Sequence, residues 1–402
     1  MHDIPTTGTY LSALGSFDET ILTYMETNHI PGAALAIVKN GQLIYARGYG
    51  YANREEKTPA APTSLFRLAS VSKPITAVAI MTLVQSGKLT LEDRVFPLLG
   101  LKPFLTADRR PNPRIETITV RQLLEHSGGW DRDKSGDIMF KHFQVAQEMG
   151  IASPPDHESL IRWAMGQPLD FDPGSRYAYS NFGFCVLGRV IEKVSGLPYE
   201  KYVQTKVLTP MGIHDMRIGK GRLAERFPQE VRYYDPQNGT ERSVFSADGE
   251  AATPLPYAFA SPQTMDAHGG WIASAVDMAH FMAKLDVPGE RPLLSPDSVA
   301  AMFARPEAPL GLDTTGAPSA AYYALGWQVR PVGSGDGRNT WHNGSMPGTS
   351  TLMVRLANGL SWVVLFNSRA DGNIDGLLHE AAAKVTEWPR QNLFLANGTG
   401  GR

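Results

Sequence analysis

The chain has 402 residues, 42% of them hydrophobic, with 38 basic and 40 acidic side chains and a formal net charge of −2. That is enough apolar material for one or two large domains. The balanced charge and the lack of a basic run exclude nucleic acid as a partner class, and no apolar stretch approaches the roughly 18 residues of a membrane span.

Met1 to Pro5 lacks the charged-then-apolar pattern of a signal peptide. A cytoplasmic location is therefore expected, or a periplasmic or secreted one if a leader has been removed. Residues 33–39 and 42–49 are apolar runs flanking Asn40-Gly41, a strong hairpin signal. Ser70-Val71-Ser72-Lys73 follows, and Ile75, Val78, Ala79, Leu83 and Val84 then recur at helical spacing up to a Gly87 cap. Further helical patterns lie near 119–126, 157–165, 182–194, 198–207, 275–285 and 296–304. Cys185, the single cysteine, falls in an apolar helical run and reads as a small core residue; it leaves no internal disulfide. Residues 102–116 and 237–265 are rich in Pro, Asp, Asn, Ser and Gly and read as long surface loops. Tyr323 to Arg330 reads as a strand, and Ser350–Leu356 and Leu360–Phe366 form a second hairpin around Asn358-Gly359. Ile374 to Val385 predicts a terminal helix covering the sheet.

Strand signals thus cluster at the two ends and helix signals in the middle. The expected fold class is α+β: one antiparallel sheet built from both termini (about 15–65 and 320–390), with a large, mostly helical insert (about 75–315). Residues 1–402 form one unit, with 391–402 as a flexible tail. The cleft between the parts is the default ligand site.

A serine hydroxyl needs a nearby base to act as a nucleophile at neutral pH. A Lys one helical turn after a Ser reaches its oxygen, and the helix N-terminus adds unpaired N–H groups. Ser70 and Lys73 are the only Ser-x-x-Lys in the chain. Downstream, Tyr179-Ser180-Asn181 places a phenol and an amide on a turn before a helix, and a phenol between two cations has its pKa lowered. His342-Asn343-Gly344-Ser345 precedes the C-terminal hairpin, where a sheet-edge strand presents His342 and the backbone N–H of Ser345. No His-Glu-x-x-His, no Gly-rich phosphate loop and no Gly-x-Ser-x-Gly occurs, so no metal or other cofactor is expected, nor a lipase-type hydrolase.

Ser-x-x-Lys, Tyr-x-Asn and a late basic residue-x-Gly, in that order, resemble the three motifs of the serine β-lactamases and penicillin-binding proteins. The flanking text resembles the class C-like branch: Phe66 to Lys73, Leu123 to Gly129, Pro173-Gly174 through Tyr179 to Gly183, Gly269 to Ser274, and His342 to Gly348. The resemblance implies a β-lactamase/D,D-peptidase-like fold. It implies Ser70 as the acylated nucleophile and Lys73 or Tyr179 as the first base. It further implies Asn181 as a substrate-positioning amide, His342 in place of the lactamase lysine, and the N–H groups of Ser70 and Ser345 as the oxyanion hole. Asn343 and Gly344 would line the cleft. Trp130, Trp271 and Phe182 adjoin the motifs as candidate pocket walls, and His268 and Asp266 as further cleft residues. A histidine is mostly neutral at pH 7, so His342 argues against efficient β-lactam turnover. The expected activity is a carboxylesterase acting on small esters through an acyl-enzyme. A D-Ala-D-Ala carboxypeptidase or D-amino acid peptidase is the alternative, and a non-catalytic binding protein of the same fold is the third. The expected partner is thus a small-molecule ester or a D-peptide.

Overall fold

The computed structural model describes residues 4–249, 252–286 and 292–396. In chain order the elements that matter are helix α1 (Gly15–Thr27), strands β1 (Gly32–Lys39), β2 (Gln42–Asn53) and β3 (Phe66–Arg67), and helices α2 (Ser72–Gln85) and α3 (Asn181–Ser195). Then come β4 (Trp271–Ala273), α4 (Ala275–Asp286), β5 (Gln328–Pro331), β6 (Arg338–Met346), β7 (Thr349–Arg355), β8 (Leu360–Phe366) and α5 (Ile374–Ala383). The central sheet is antiparallel and runs β2-β1-β8-β7-β6-β5, with short edge strands Thr6–Thr7 beside β2 and Tyr322–Tyr323 beside β5. The two termini therefore meet in its middle, where β8 pairs with β1 from Leu360–Lys39 to Phe366–Ala33.

Turn chemistry sets this register. Asn40 and Gly41 both have positive φ (50° and 76°), the mirror-image turn that suits a two-residue hairpin, and Lys39 pairs with Gln42. Gly359 ends the neighbouring turn at φ 80° and lies against the Asn40 side chain, where a Cβ would come within 2.2 Å of Oδ1. Each face of the sheet is covered. On one side α1 and α5 pack Phe17, Ile21 and Leu378 over Leu35, Trp362 and Val364. On the other, Ala34, Ala36, Val363 and Leu365 face the larger core that α4 and the insert build.

The helical insert is as expected, with α2, α3 and α4 close to their sequence bounds. Four details differ. Residues 15–27, within the range assigned to the sheet, form α1: Phe17, Ile21, Tyr24 and Met25 line one helical face. The 323–330 run is broken, because Ala324 to Trp327 turn back on themselves between the Tyr322–Tyr323 edge and β5. The 237–265 loop holds a two-stranded ribbon, Thr240–Arg242 with Ala252–Pro254. Residues 391–396 are docked rather than a free tail: Gln391 donates to the Ile44 carbonyl at 2.7 Å and Phe394 stacks on His280. Asn397 to Arg402 lie outside the described residues. Among the described residues no helix is long and apolar enough to cross a membrane, and no cluster of His, Cys, Asp or Glu is placed to hold a metal ion.

Candidate active site

Ser70 stands where the sheet meets the insert, on a single 3-10 turn (Ala69–Val71) that leads into α2. Three attachments fix that turn. β3 pairs with β4, and Leu68 N–H donates to the Trp271 carbonyl at 2.8 Å. The Thr351 hydroxyl of β7 donates to the Leu68 carbonyl at 2.8 Å. Ala69 takes a left-handed backbone (φ 48°), which costs an L-residue about 1–2 kcal/mol and swings the chain sharply from strand to helix. Ser70 itself is partly exposed, while Lys73 is fully buried beneath it.

The Lys73 amine meets Ser70 Oγ at 3.0 Å, Asn181 Oδ1 at 2.7 Å and the His268 carbonyl at 3.0 Å. Burial drives it well below the ordinary lysine pKa; Asp137 opposes this shift and Arg132 adds to it. A neutral amine has two N–H donors and one lone pair. In that neutral form the carbonyl and the amide oxygen accept both donors, and the lone pair is left for the Ser70 hydroxyl.

Tyr179 hydrogen-bonds Ser70. Its ring has the Lys73 amine and the Arg132 guanidinium each 4.7 Å from its centroid. Its pKa is nonetheless raised, not lowered: burial outweighs the bond to Ser70 and the charge of Arg132. Arg132 does not make a phenolate here, because desolvating the anion costs more than its charge returns.

The Leu123–Gly129 segment holds Tyr179 in place. His126, at φ 57°, accepts Ser180 N–H on Nδ1 at 3.1 Å, its carbonyl accepts Ala178 N–H at 2.8 Å, and its ring lies 4.3 Å from that of Tyr179.

His342 is buried on β6. Its Nδ1 donates to the Asn343 carbonyl at 2.7 Å, so Nε2 is the acceptor for the Tyr323 hydroxyl at 2.9 Å. Burial, helped by Lys73 and opposed by the Asn343 carbonyl, pulls its pKa down to about 3. It is a neutral imidazole at pH 7. β6 is an interior strand, not a sheet edge, but β5 pairs only with Arg338–Trp341, so the edge beyond Trp341 faces Ser70. Alternation from the Met346–Thr349 pair at the turn points the Ser345 N–H to that open edge. Gly344 makes the approach possible: a Cβ there would lie 2.4 Å from the Leu68 carbonyl oxygen and 2.9 Å from Ser70 N.

The cleft over these groups, of about 520 Å³, is lined by Ser70, Tyr179, His342, Asn343 and Ser345 together with Arg132, Arg176, Tyr177 and Gln328. The latter four are absent from the sequence-level set, as are His126, Asp137 and Tyr323. Asn181 is present, but its amide is engaged at both ends and buried rather than turned to the cleft, since Nδ2 donates to Asp137 at 2.7 Å. Asn343 sits at the rim with its side chain exposed, on the strand face opposite His342.

The aromatic wall is a correction. Trp130 and Phe182 pack edge to face in the core with ring centroids 4.8 Å apart, and Trp271 is fully buried with its indole N–H on the Tyr199 hydroxyl. Asp131 beside Trp130 lines the cleft, but the tryptophan side chain itself is buried in the core. His268 gives the site only its carbonyl. Asp266 is bound in the interior by Arg189 at 2.6 Å and His157 at 3.3 Å; burial alone would raise its pKa, but these partners hold it down to about 2.

The fold is thus an antiparallel sheet carrying a helical insert, and the site is a serine over a buried lysine at their junction. The chain belongs to the Beta-lactamase family, whose model matches residues 17–387. "Protein flp" of Staphylococcus aureus (strain COL) is 27% identical over 356 residues, 88% of this chain, and the chain spans 63% of that relative's length. "Esterase EstB" of Burkholderia gladioli is 29% identical, covering 87% of this chain and 88% of its own. The solved structure of the octameric penicillin-binding protein homologue from Pyrococcus abyssi superimposes with a TM-score of 0.69 at 24% identity, over 96% of this chain and 80% of its own.

Proposed function

We propose that this protein is a carboxylesterase that hydrolyses small esters through an acyl-enzyme on Ser70. The carrying observation is the set of contacts of the buried Lys73 amine: two carbonyl-type oxygens accept from it, so that in its neutral form the lone pair is left for Ser70. Lys73 takes the Ser70 proton as Oγ attacks the ester carbonyl carbon. The oxyanion is held by the N–H groups of Ser70 and Ser345. Tyr179, a neutral phenol, protonates the departing alkoxide as the C–O bond breaks and is reprotonated from Lys73. A water then attacks the acyl carbonyl; its proton passes to the same pair and returns to Ser70 Oγ as the carboxylic acid leaves.

The choice of a neutral ester rests on His342. With a pKa near 3 it offers no cation to a substrate carboxylate at pH 7, and the named esterase among the relatives agrees. One observation favours a D-Ala-D-Ala carboxypeptidase or D-amino acid peptidase instead: Arg132, a half-exposed cation at the cleft, has Asp133 only at 4.0 Å. Hydrolysis of p-nitrophenyl butyrate with and without prior benzylpenicillin separates the two. Turnover that survives penicillin supports the esterase. Turnover abolished by a lasting adduct on Ser70 supports the peptidase.

A further inference from the structure

Asn181 touches both Lys73 and Asp137, and an amide has two unlike ends. Its Oδ1 accepts from Lys73 at 2.7 Å and its Nδ2 donates to Asp137 Oδ2 at 2.7 Å. Which end meets Lys73 is therefore decided by what lies at the other end. Asp137 is partly buried and caps the 3-10 turn Ile138–Phe140: its Oδ1 accepts the Met139 N–H at 3.0 Å, so both carboxylate oxygens are used as acceptors. An acceptor-only group facing Asn181 forces Nδ2 toward Asp137 and Oδ1 toward Lys73. Were the amide reversed, Nδ2 would face Lys73, donate into its lone pair, and take the place the Ser70 hydroxyl needs.

We propose that Asp137 is a positioning residue that, by fixing the amide of Asn181, keeps the Lys73 lone pair on Ser70. This rests on the reading of Lys73 as the base given above. Asp137 does not itself line the cleft, so it acts on kcat and not on substrate binding. It is also the negative charge that offsets the burial of Lys73. The other groups around that amine are Arg132, Tyr179 and the neutral rings of His126, His268 and His342, none of which supplies a compensating anion.

Two substitutions separate this role from a structural one. Asp137→Ser keeps a cap for the turn and deletes the acceptor facing Asn181. Asp137→Asn keeps one acceptor for Met139 N–H and turns an NH2 toward Asn181, which reverses its amide. Both are expected to lower kcat about 10- to 100-fold, the scale of a displaced acid–base group, with KM within about twofold. In Asp137→Ser the acidic limb of kcat/KM should also move to lower pH, since the anion that raises the Lys73 pKa is gone. The double variant Asp137→Asn with Asn181→Asp rebuilds the chain with its ends exchanged: the carboxylate introduced at position 181 accepts from both Lys73 and the new amide. It should recover about tenfold in kcat over Asp137→Asn, with the acidic limb moved to higher pH by the anion now beside Lys73.

If Asp137→Asn fails to fold, Asp137→Ser carries the test alone. Wild-type kcat and an unshifted limb in Asp137→Ser, or a double variant no better than Asp137→Asn, overturn the inference. Labelling Ser70 with a fluorophosphonate and measuring the intact mass keeps the two layers apart. No adduct on wild-type Ser70 defeats the active-site reading itself, whereas a labelled wild type beside a fully active Asp137→Ser defeats only the role of Asp137.

Discussion

Gly344→Ala tests how closely β6 must approach Ser70. The added Cβ would sit 2.4 Å from the Leu68 carbonyl oxygen, 2.4 Å from Thr351 Oγ1 and 2.9 Å from Ser70 N. None of these atoms is the free end of a flexible side chain: two are backbone, and Thr351 is held by its bond to Leu68. Ordinary contact therefore requires β6 to back away by about 1 Å, which carries the Ser345 N–H off the oxyanion position. Losing one such donor lowers kcat about 10²- to 10³-fold, and overpacking of this kind costs about 1–3 kcal/mol of stability. Steady-state hydrolysis of p-nitrophenyl butyrate reads the first and thermal unfolding the second. A folded Gly344→Ala enzyme with kcat within about threefold of wild type would refute the assignment of this strand edge to the oxyanion site.

Other outcomes follow from the same geometry. Lys73→Ala and Tyr179→Phe should each lose about 10²- to 10⁴-fold in kcat, measured on the same ester. His342 is held neutral in the fold down to about pH 3 but binds a proton in the unfolded chain near pH 6.5. The unfolded state thus gains protons first as pH falls, and stability drops by about 1.4 kcal/mol per pH unit below about 6 from this residue alone. His342→Gln should flatten the pH dependence of urea unfolding by that amount, and an unchanged slope would contradict a buried neutral imidazole. Trp130→Ala should cost about 3–5 kcal/mol in unfolding while leaving KM alone, as a core side chain does; a raised KM at unchanged stability would return Trp130 to the pocket.

Much of this architecture is local and therefore legible in the sequence. Asn40-Gly41 admits one kind of turn, and it fixed the register of β1 with β2. The Ser70–Lys73 spacing is a property of one helical turn, so the contact at 3.0 Å needed no tertiary knowledge. The aromatic residues show the limit. Trp130 and Trp271 stand beside motif residues in the chain, but which side of the backbone a side chain leaves from is set by the packing of α3 and β4, and both entered the core. Asp137 meets Asn181 across 44 positions of sequence. A lone Asp before Ile138-Met139 reads only as a turn cap, and no spacing rule links it to Lys73. Tyr323 likewise reaches His342 only because β5 brings the sheet edge beside β6. The pKa of Tyr179 depends on burial, which residue types alone do not give.

The central claim is that Ser70 carries an acyl group during turnover. Mixing the protein with p-nitrophenyl butyrate, quenching in acid within one turnover and mapping the adduct by peptide mass spectrometry tests it directly. The account predicts a butyryl group on the peptide containing Ser70, and neither adduct nor hydrolysis in Ser70→Ala. An adduct on a different residue, or steady hydrolysis by purified Ser70→Ala, would contradict it.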